Sequence, residues 1–367
     1  MKILYVVCDT EAEWNSSRWR CMIPAAAMRK AGHSVGMMKP IEFVASYNEG
    51  AEEGRFVGQY DIIIFQRNMC EPELFRAATY WSGAGKPVIV DLDDYYAGLP
   101  PTNRAWEFWH NAEQSTHLRQ MMTYLPLLDG VSSPSKKILE DWQELGVKHT
   151  YWMPNYADGS HFINLSKEPH DGFVVGWGGS HSHYDTWVRS ACKEGIRLAF
   201  EARPDMRAVV YGADARVFEM LPVPNERKTY AGLIAPNEIQ KWPQALAQFD
   251  VALAPLGGQY DQRRSWIHAL EPMLCNVPWI GSSGFPFADV ASYGHVVCQE
   301  TPKAWAEMLI DAHDNYAEWT ALAERAYVQA LGYTMERNIG QYAQTIAKII
   351  QRRRAAMGGR LPGVTTV

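Results

Sequence analysis

The chain opens on KILYVVCD, a short β-branched run that ends in polar residues. SSRWRCMIPAAAMRKAGHSV then carries apolar positions at helical spacing as far as Gly32 and leads into another strand. This is a βαβ opening. Residues 61–68 (DIIIFQRN) and 87–94 (PVIVDLDD) are continuous apolar runs with polar carboxyl ends, as expected of strands buried on both faces of a parallel sheet. DGVSSPS after Leu128 reads as one more. YWMPNYADGSHFINLSKEPHDG breaks the pattern with proline, asparagine, glycine and charge, and reads as an interdomain linker. The alternation then resumes with GFVVGWGG, MRAVVYGA, FDVALAPLGG and VPWIGSS, separated by helical stretches. Two doubly wound α/β domains are therefore expected, with ligands at the carboxyl ends of the strands. The last helix, NIGQYAQTIAKIIQRRRAAM, is amphipathic, and its terminal arginines suit the helix dipole. Structural packing is the favoured reading of these arginines, with a membrane surface or nucleic acid as the other.

Composition narrows the class. At 367 residues the chain exceeds what one core usually supports, and 47% hydrophobic with 21% charged residues is a globular balance. The net charge of −6 argues against a surface that grips nucleic acid throughout, while leaving room for a local basic groove. Six widely spaced cysteines form no C-x-x-C pair and no zinc-like spacing, so they read as reduced thiols. Since no apolar stretch approaches the roughly 20 residues that span a bilayer, no integral membrane contact and a cytoplasmic location are expected.

Candidate chemistry gathers in the second half. YDQRRSWIHALEPML places Arg263, Arg264, His268 and Glu271 in one short stretch at the lip of the second sheet. On a helix Arg264, His268 and Glu271 would share a face, two cations to hold a diphosphate and a carboxylate to accept ribose hydroxyls. A sugar nucleotide needs those functions. GWGGSHSHYDTW lies between a strand and a helix, where bare backbone N–H groups can approach phosphate. Glycine-rich turns end many strands, and the spacing is not the strict dinucleotide fingerprint.

At this point the residues resemble a known family. DVALAPL followed by Tyr260, Asp261, Arg264, Ser265, His268, Leu270 and Glu271, then NVPWIGS, resembles the carboxyl-terminal domain of family 4 glycosyltransferases of the GT-B fold, with its F-N-x-x-K-S-x-x-K-x-L-E pattern. The likeness extends to GWGGSHSHYD, YAGLIAPNEI and MPNYAD; in the first half Gly32 and His33 match a common GHxV, and FQRN and DLDDYYAGLPPTN resemble a phage-encoded branch. It implies an α/β GT-B architecture of two facing Rossmann-like, doubly wound domains with an interdomain cleft. The expected division is an acceptor-side domain over residues 1–155, a linker over 156–170, a nucleotide-sugar domain over 171–335, and a helix and tail over 336–367 that pack back on the first domain. It implies transfer of a sugar, with retention, from a nucleotide-diphosphate donor, UDP-sugar favoured, as co-substrate and without a metal or further cofactor. Arg264 would contact the diphosphate, Glu271 the ribose, and Gly178, Gly179 and Ser180 the phosphate loop, with His183 and Ser265 beside them. The family's E-x7-E pair is incomplete, because Arg263 stands where the first glutamate would be. Pro272 is expected to kink the helix next to Glu271.

In the first half Arg18 and Arg20 are candidates to help a leaving diphosphate, alongside Arg264 and His268, or to meet an acidic acceptor, surface arginines at a helix start being the alternative. Asp94, with Asp91 and Asp93 in DLDD, is a candidate to position an acceptor or act as base, capping and divalent-metal binding being the alternatives. His110, His117 and His183 are possible acid/base groups. The acceptor would be a hydroxyl of modified DNA, a protein or a glycan. Tyr95, Tyr96, Trp106 and Trp109 read either as stacking surfaces for a hydroxymethylated DNA base or as core. Two rival readings are a non-catalytic sugar-nucleotide or glycan binder, motivated by Arg263, and a sugar-nucleotide epimerase of the same fold.

Overall fold

A computed structural model of the chain describes residues 1–9, 16–48, 50–110, 116–212, 214–235 and 238–358. The described chain divides into two compact units, one of residues 1–97, 107–157 and 335–367, the other of 98–106 and 158–334. The change of unit falls between Ala157 and Asp158. Gly98–Trp106, inside the stretch read as first domain, groups with the second unit, where Thr102 Oγ1 lies 3.2 Å from Asp185 Oδ1.

The first unit holds a six-stranded sheet of β1 (Lys2–Val6), β2 (Ser34–Met38), β3 (Ile62–Gln66), β4 (Val88–Asp91), β5 (Gly130–Ser133) and β6 (Thr150–Trp152). All pairs are parallel and run in the order β2-β1-β3-β4-β5-β6. Every residue of IIIFQ in β3 is buried, because crossover helices cover both sheet faces. The strand order reverses between β1 and β3, which leaves a crevice at their carboxyl ends. The helix after β1 reaches Gly32 through a π turn at Arg18–Met22, where Ile23 N–H donates to Arg18 O. Pro24, which has no N–H, follows at once, so the register change falls where an α-helical bond would be missing anyway.

The helix Met335–Ala356 belongs to this unit. It buries Tyr342, Ile346, Ile349 and Ile350, and Tyr342 Oη lies 3.0 Å from Tyr5 Oη. Its arginines are occupied by the amino ends of strands: Arg352 donates to Asp129 O at 2.6 Å, Arg353 pairs with the Asp129 carboxylate at 3.1 Å, and Arg354 with Asp61 at 3.3 Å. These contacts match the structural reading. The tail beyond residue 358 lies outside the described residues.

The second unit repeats the plan with β7 (Phe173–Gly179), β8 (Met206–Gly212), β9 (Lys228–Gly232), β10 (Val251–Ala254), β11 (Trp279–Ser282) and β12 (His295–Val297), all parallel, in the order β12-β11-β10-β7-β8-β9. Its switch point lies between β7 and β10. Trp187, Phe200, Trp305 and Trp319 fill the core beside β7 and β8. The strands with no apolar run in the sequence, β6, β9 and β12, are edges; β9 is exposed at its three central residues, so burial imposes no hydrophobic pattern on it. No helix among the described residues is long and apolar enough to cross a membrane.

Candidate functional site

The switch point of the second unit brings together the two segments singled out above. β7 ends on Gly178 and Gly179, and the chain turns through His181–His183 into the short helix Tyr184–Arg189. β10 is followed by a loop and a turn, Asp261–Arg263, and then by the helix Ile267–Leu274. Asp261 locks the two together: buried, its Oδ2 accepts Gly257 N–H and the Thr186 hydroxyl, each at 2.7 Å. A Cβ on Gly257 would meet Thr186 Cα at 2.5 Å, so only glycine allows the approach.

Arg264 precedes the helix and does not share its face with His268 and Glu271, which corrects the i, i+4, i+7 expectation. Its Nη1 lies 2.7 Å from Nδ1 and 2.5 Å from Nε2 of His183, and its Nη2 donates to Ser182 Oγ at 2.6 Å. The guanidinium also lies over the Tyr260 ring, 4.8 Å from its centre, and its Nε is 3.4 Å from Asp261 Oδ1. His268 reaches His183 from the first turn of the helix, Nε2 to Nε2 at 3.1 Å.

An arginine can only donate, so His183 must offer it a lone pair and be neutral. The electrostatics agree. Burial, the Arg264 cation and then His268 hold His183 well below the ordinary histidine range, and burial and Arg264 push His268 down to about 4. The site therefore has one fixed cation and two neutral imidazoles near pH 7, where two fixed cations were expected of Arg264 and His268.

The glycines have a packing explanation. A Cβ on Gly178 would meet the Trp242 ring at 2.3 Å, and one on Gly179 would meet Trp177 at 2.5 Å and His183 Cδ2 at 2.9 Å. Glycine here makes room for aromatic walls. Trp242, which no sequence pattern singled out, donates its indole N–H to Glu271 Oε2 at 3.0 Å. Pro272 does not break the chain at Glu271, since the helix runs through it to Leu274. Its missing N–H affects only a helix that ends two residues later. Ser180 Oγ lies 2.8 Å from Ser182 Oγ, Ser265 is half-buried just before the helix, and Arg263 donates to Gln259 O at 3.3 Å.

In the first unit Arg20 is committed to the fold. It forms a fork with Asp91, both bonds 2.8 Å, and also donates to Met153 O and Asn155 Oδ1, while Ser132 donates to Asp91. Burial disfavours its charge, but Asp91 overrides this and raises its pKa. Arg18 and Asp94 are half-buried, at the π turn and beyond β4. Sequence reading missed Arg67: with Asn68 it adopts left-handed backbone (φ 46° and 31°) at the end of β3, pairing with Asp93 at 3.3 Å and Asp9 at 3.6 Å. Burial raises the Asp93 carboxyl despite that cation. His110 lies 3.4 Å from Ala97 O, and His117 bonds to Phe108 O at 2.9 Å and stacks on its ring. Tyr96 and Trp109 stack on each other in the core, 4.2 Å apart, which removes them as base-stacking surfaces. Part of YAGLIAPNEI, residues 236 and 237, lies outside the described residues. Among the described residues no group of three or more His, Cys, Asp or Glu is placed to hold a metal ion.

Solved structures decide the fold class. HepE of Anabaena, solved with UDP and glucose, superposes with a TM-score of 0.63 at 16% identity, over 95% of this chain and 100% of its own. A glycosyltransferase from Rickettsia africae gives 0.66 at 13% identity over 95% and 98%, and the sucrose-phosphate synthase of Thermosynechococcus elongatus 0.64 at 12% over 96% and 100%. The chain has the GT-B fold. No family model matches it, and no curated protein matches it in sequence. Within the GT-B fold, the residues gathered after β7 and β10 occupy the switch point of the second doubly wound unit.

Proposed function

We propose that the protein is a cytoplasmic glycosyltransferase that moves a sugar from a nucleotide-diphosphate donor, UDP-sugar favoured, to a hydroxyl acceptor with retention. The observation that carries this reading is the convergence of Arg264, His183 and His268 at the carboxyl ends of β7 and β10, with Glu271 held beside them. Arg264 carries fixed charge here beside two neutral imidazoles, a setting that suits an anionic ligand. HepE, of the same fold, was solved with UDP and with UDP-glucose, which supports the donor class.

In this reading Arg264 supplies fixed charge to the diphosphate, and His268 gains a proton as negative charge arrives. Glu271 accepts the ribose hydroxyls; Gly178, Gly179, Ser180 and Ser265 line the phosphate side. Arg18 and Asp94 are assigned to the leaving group and the acceptor hydroxyl, and no metal is assigned a role. Arg263, in place of the family's first glutamate, favours one rival: a protein that binds sugar nucleotide without turnover.

Thermal melts with UDP, GDP, ADP and their common sugar conjugates test the proposal. A ligand at about 100 times its Kd adds roughly 2.7 kcal/mol to the folded state. One nucleotide should stabilise wild type, and Glu271→Ala should lose most of that gain. Donor turnover should fall in Arg264→Ala; unchanged behaviour in both variants would refute the site, and binding without turnover on any acceptor would select the rival. Acceptor screens would cover hydroxymethylated DNA, protein and glycan, and a DNA acceptor would show affinity that falls steeply with salt.

A further inference from the structure

The reading of Glu271 as the ribose ligand leaves open how a flexible carboxylate is aimed. A glutamate side chain has three rotatable bonds, and ordering it on a ligand opposes binding unless the protein orders it beforehand. Trp242 supplies that order. Its Nε1–H, a donor only, points at Glu271 Oε2 from 3.0 Å. The indole is itself immobilised: it occupies the space left by the absent Cβ of Gly178, and it meets the rings of Tyr211 and Phe249 edge to face, 5.7 and 6.4 Å between centres. The two helices are tied as well, since the Cys275 thiol, one residue past Ile267–Leu274, lies 3.5 Å from Pro243 O in Lys241–Leu246.

We infer that Trp242 is a positioning residue which fixes the Glu271 carboxylate for two vicinal hydroxyls, and so makes the site select a ribonucleoside diphosphate over its dideoxy analogue. A hydrogen bond to Oε2 narrows the orientations open to the carboxylate, and neighbouring O–H groups on a furanose can both donate to it. A nucleotide without those hydroxyls forgoes two hydrogen bonds to a charged acceptor and binds less well. The inference rests on the proposed donor site.

The test compares UDP with 2′,3′-dideoxy-UDP by calorimetry on the full chain. Wild type should prefer UDP by at least about tenfold, the scale of a hydrogen bond to a charged group. Trp242→Phe, which keeps an aromatic ring but loses the N–H together with part of the indole, should lower UDP affinity about tenfold, while the loss for dideoxy-UDP, which reports the packing change alone, stays within about twofold, so the preference collapses. Glu271→Ala should collapse it too. An equal loss for both nucleotides in Trp242→Phe, or a preference that survives with UDP binding intact, overturns the positioning role while leaving Glu271 in place. A wild type that binds both equally overturns the ribose reading of Glu271 and the role of Trp242 together. Melting curves and dideoxy-UDP binding establish that the variant is folded.

Discussion

Binding of a diphosphate should take up a proton. In the free protein His183 accepts from Arg264, and burial with that cation pushes His268 down to about 4, so both imidazoles are neutral near pH 7. One negative charge at about 4 Å, in a setting of effective dielectric about 20, interacts with an imidazolium by about 4 kcal/mol, or about three pK units. That is enough to bring His268 from about 4 to about 7. The complex then binds one more proton than its separated parts. Affinity rises as pH falls from about 7 towards about 4, by at most about tenfold per pH unit. UDP-glucose is the right ligand, because its phosphates are both esterified, whereas the terminal phosphate of UDP titrates near about 6 and would take part in the count. Calorimetry at pH 6 in buffers of different ionisation enthalpy should register close to one proton taken up per ligand bound. His268→Gln should reduce the uptake, and Arg264→Ala, which removes the cation that depresses both histidines, should raise their free pKa and diminish it as well. Tight binding with no uptake and a flat pH dependence would refute the neutral pair.

Two further substitutions separate packing from chemistry. Gly178→Ala drives a methyl group into the Trp242 ring and should cost about 1–3 kcal/mol in urea unfolding; if the indole yields, Glu271 is released and nucleotide affinity falls with it. An unchanged midpoint would mean that the strand end shifts freely. Asp91→Ala leaves the Arg20 guanidinium buried without its carboxylate and should cost about 3–5 kcal/mol, a loss below about 1 kcal/mol being incompatible with a buried pair.

The sequence by itself determined the class of architecture, because strands buried on both faces must be apolar throughout. IIIFQ in β3 and the start of GFVVGWGG in β7 announce themselves for that reason. It also located the two segments that meet at the switch point of the second unit, since glycines after one strand and charges after another mark chain that leaves a sheet at its carboxyl edge. Short edge strands such as β9 stayed invisible, because solvent places no hydrophobic demand on them. Residue roles depended on partners distant in the chain. Arg20 and Arg264 are alike in the sequence, yet one is locked to Asp91 and the other meets His183, which in turn meets His268. His268 looks like a cation until Arg264 and burial hold it neutral, and Trp242 looks like core until its N–H is found on Glu271, 29 residues away. Charge state and aim are set by what surrounds a group, and only the folded chain brings those surroundings together.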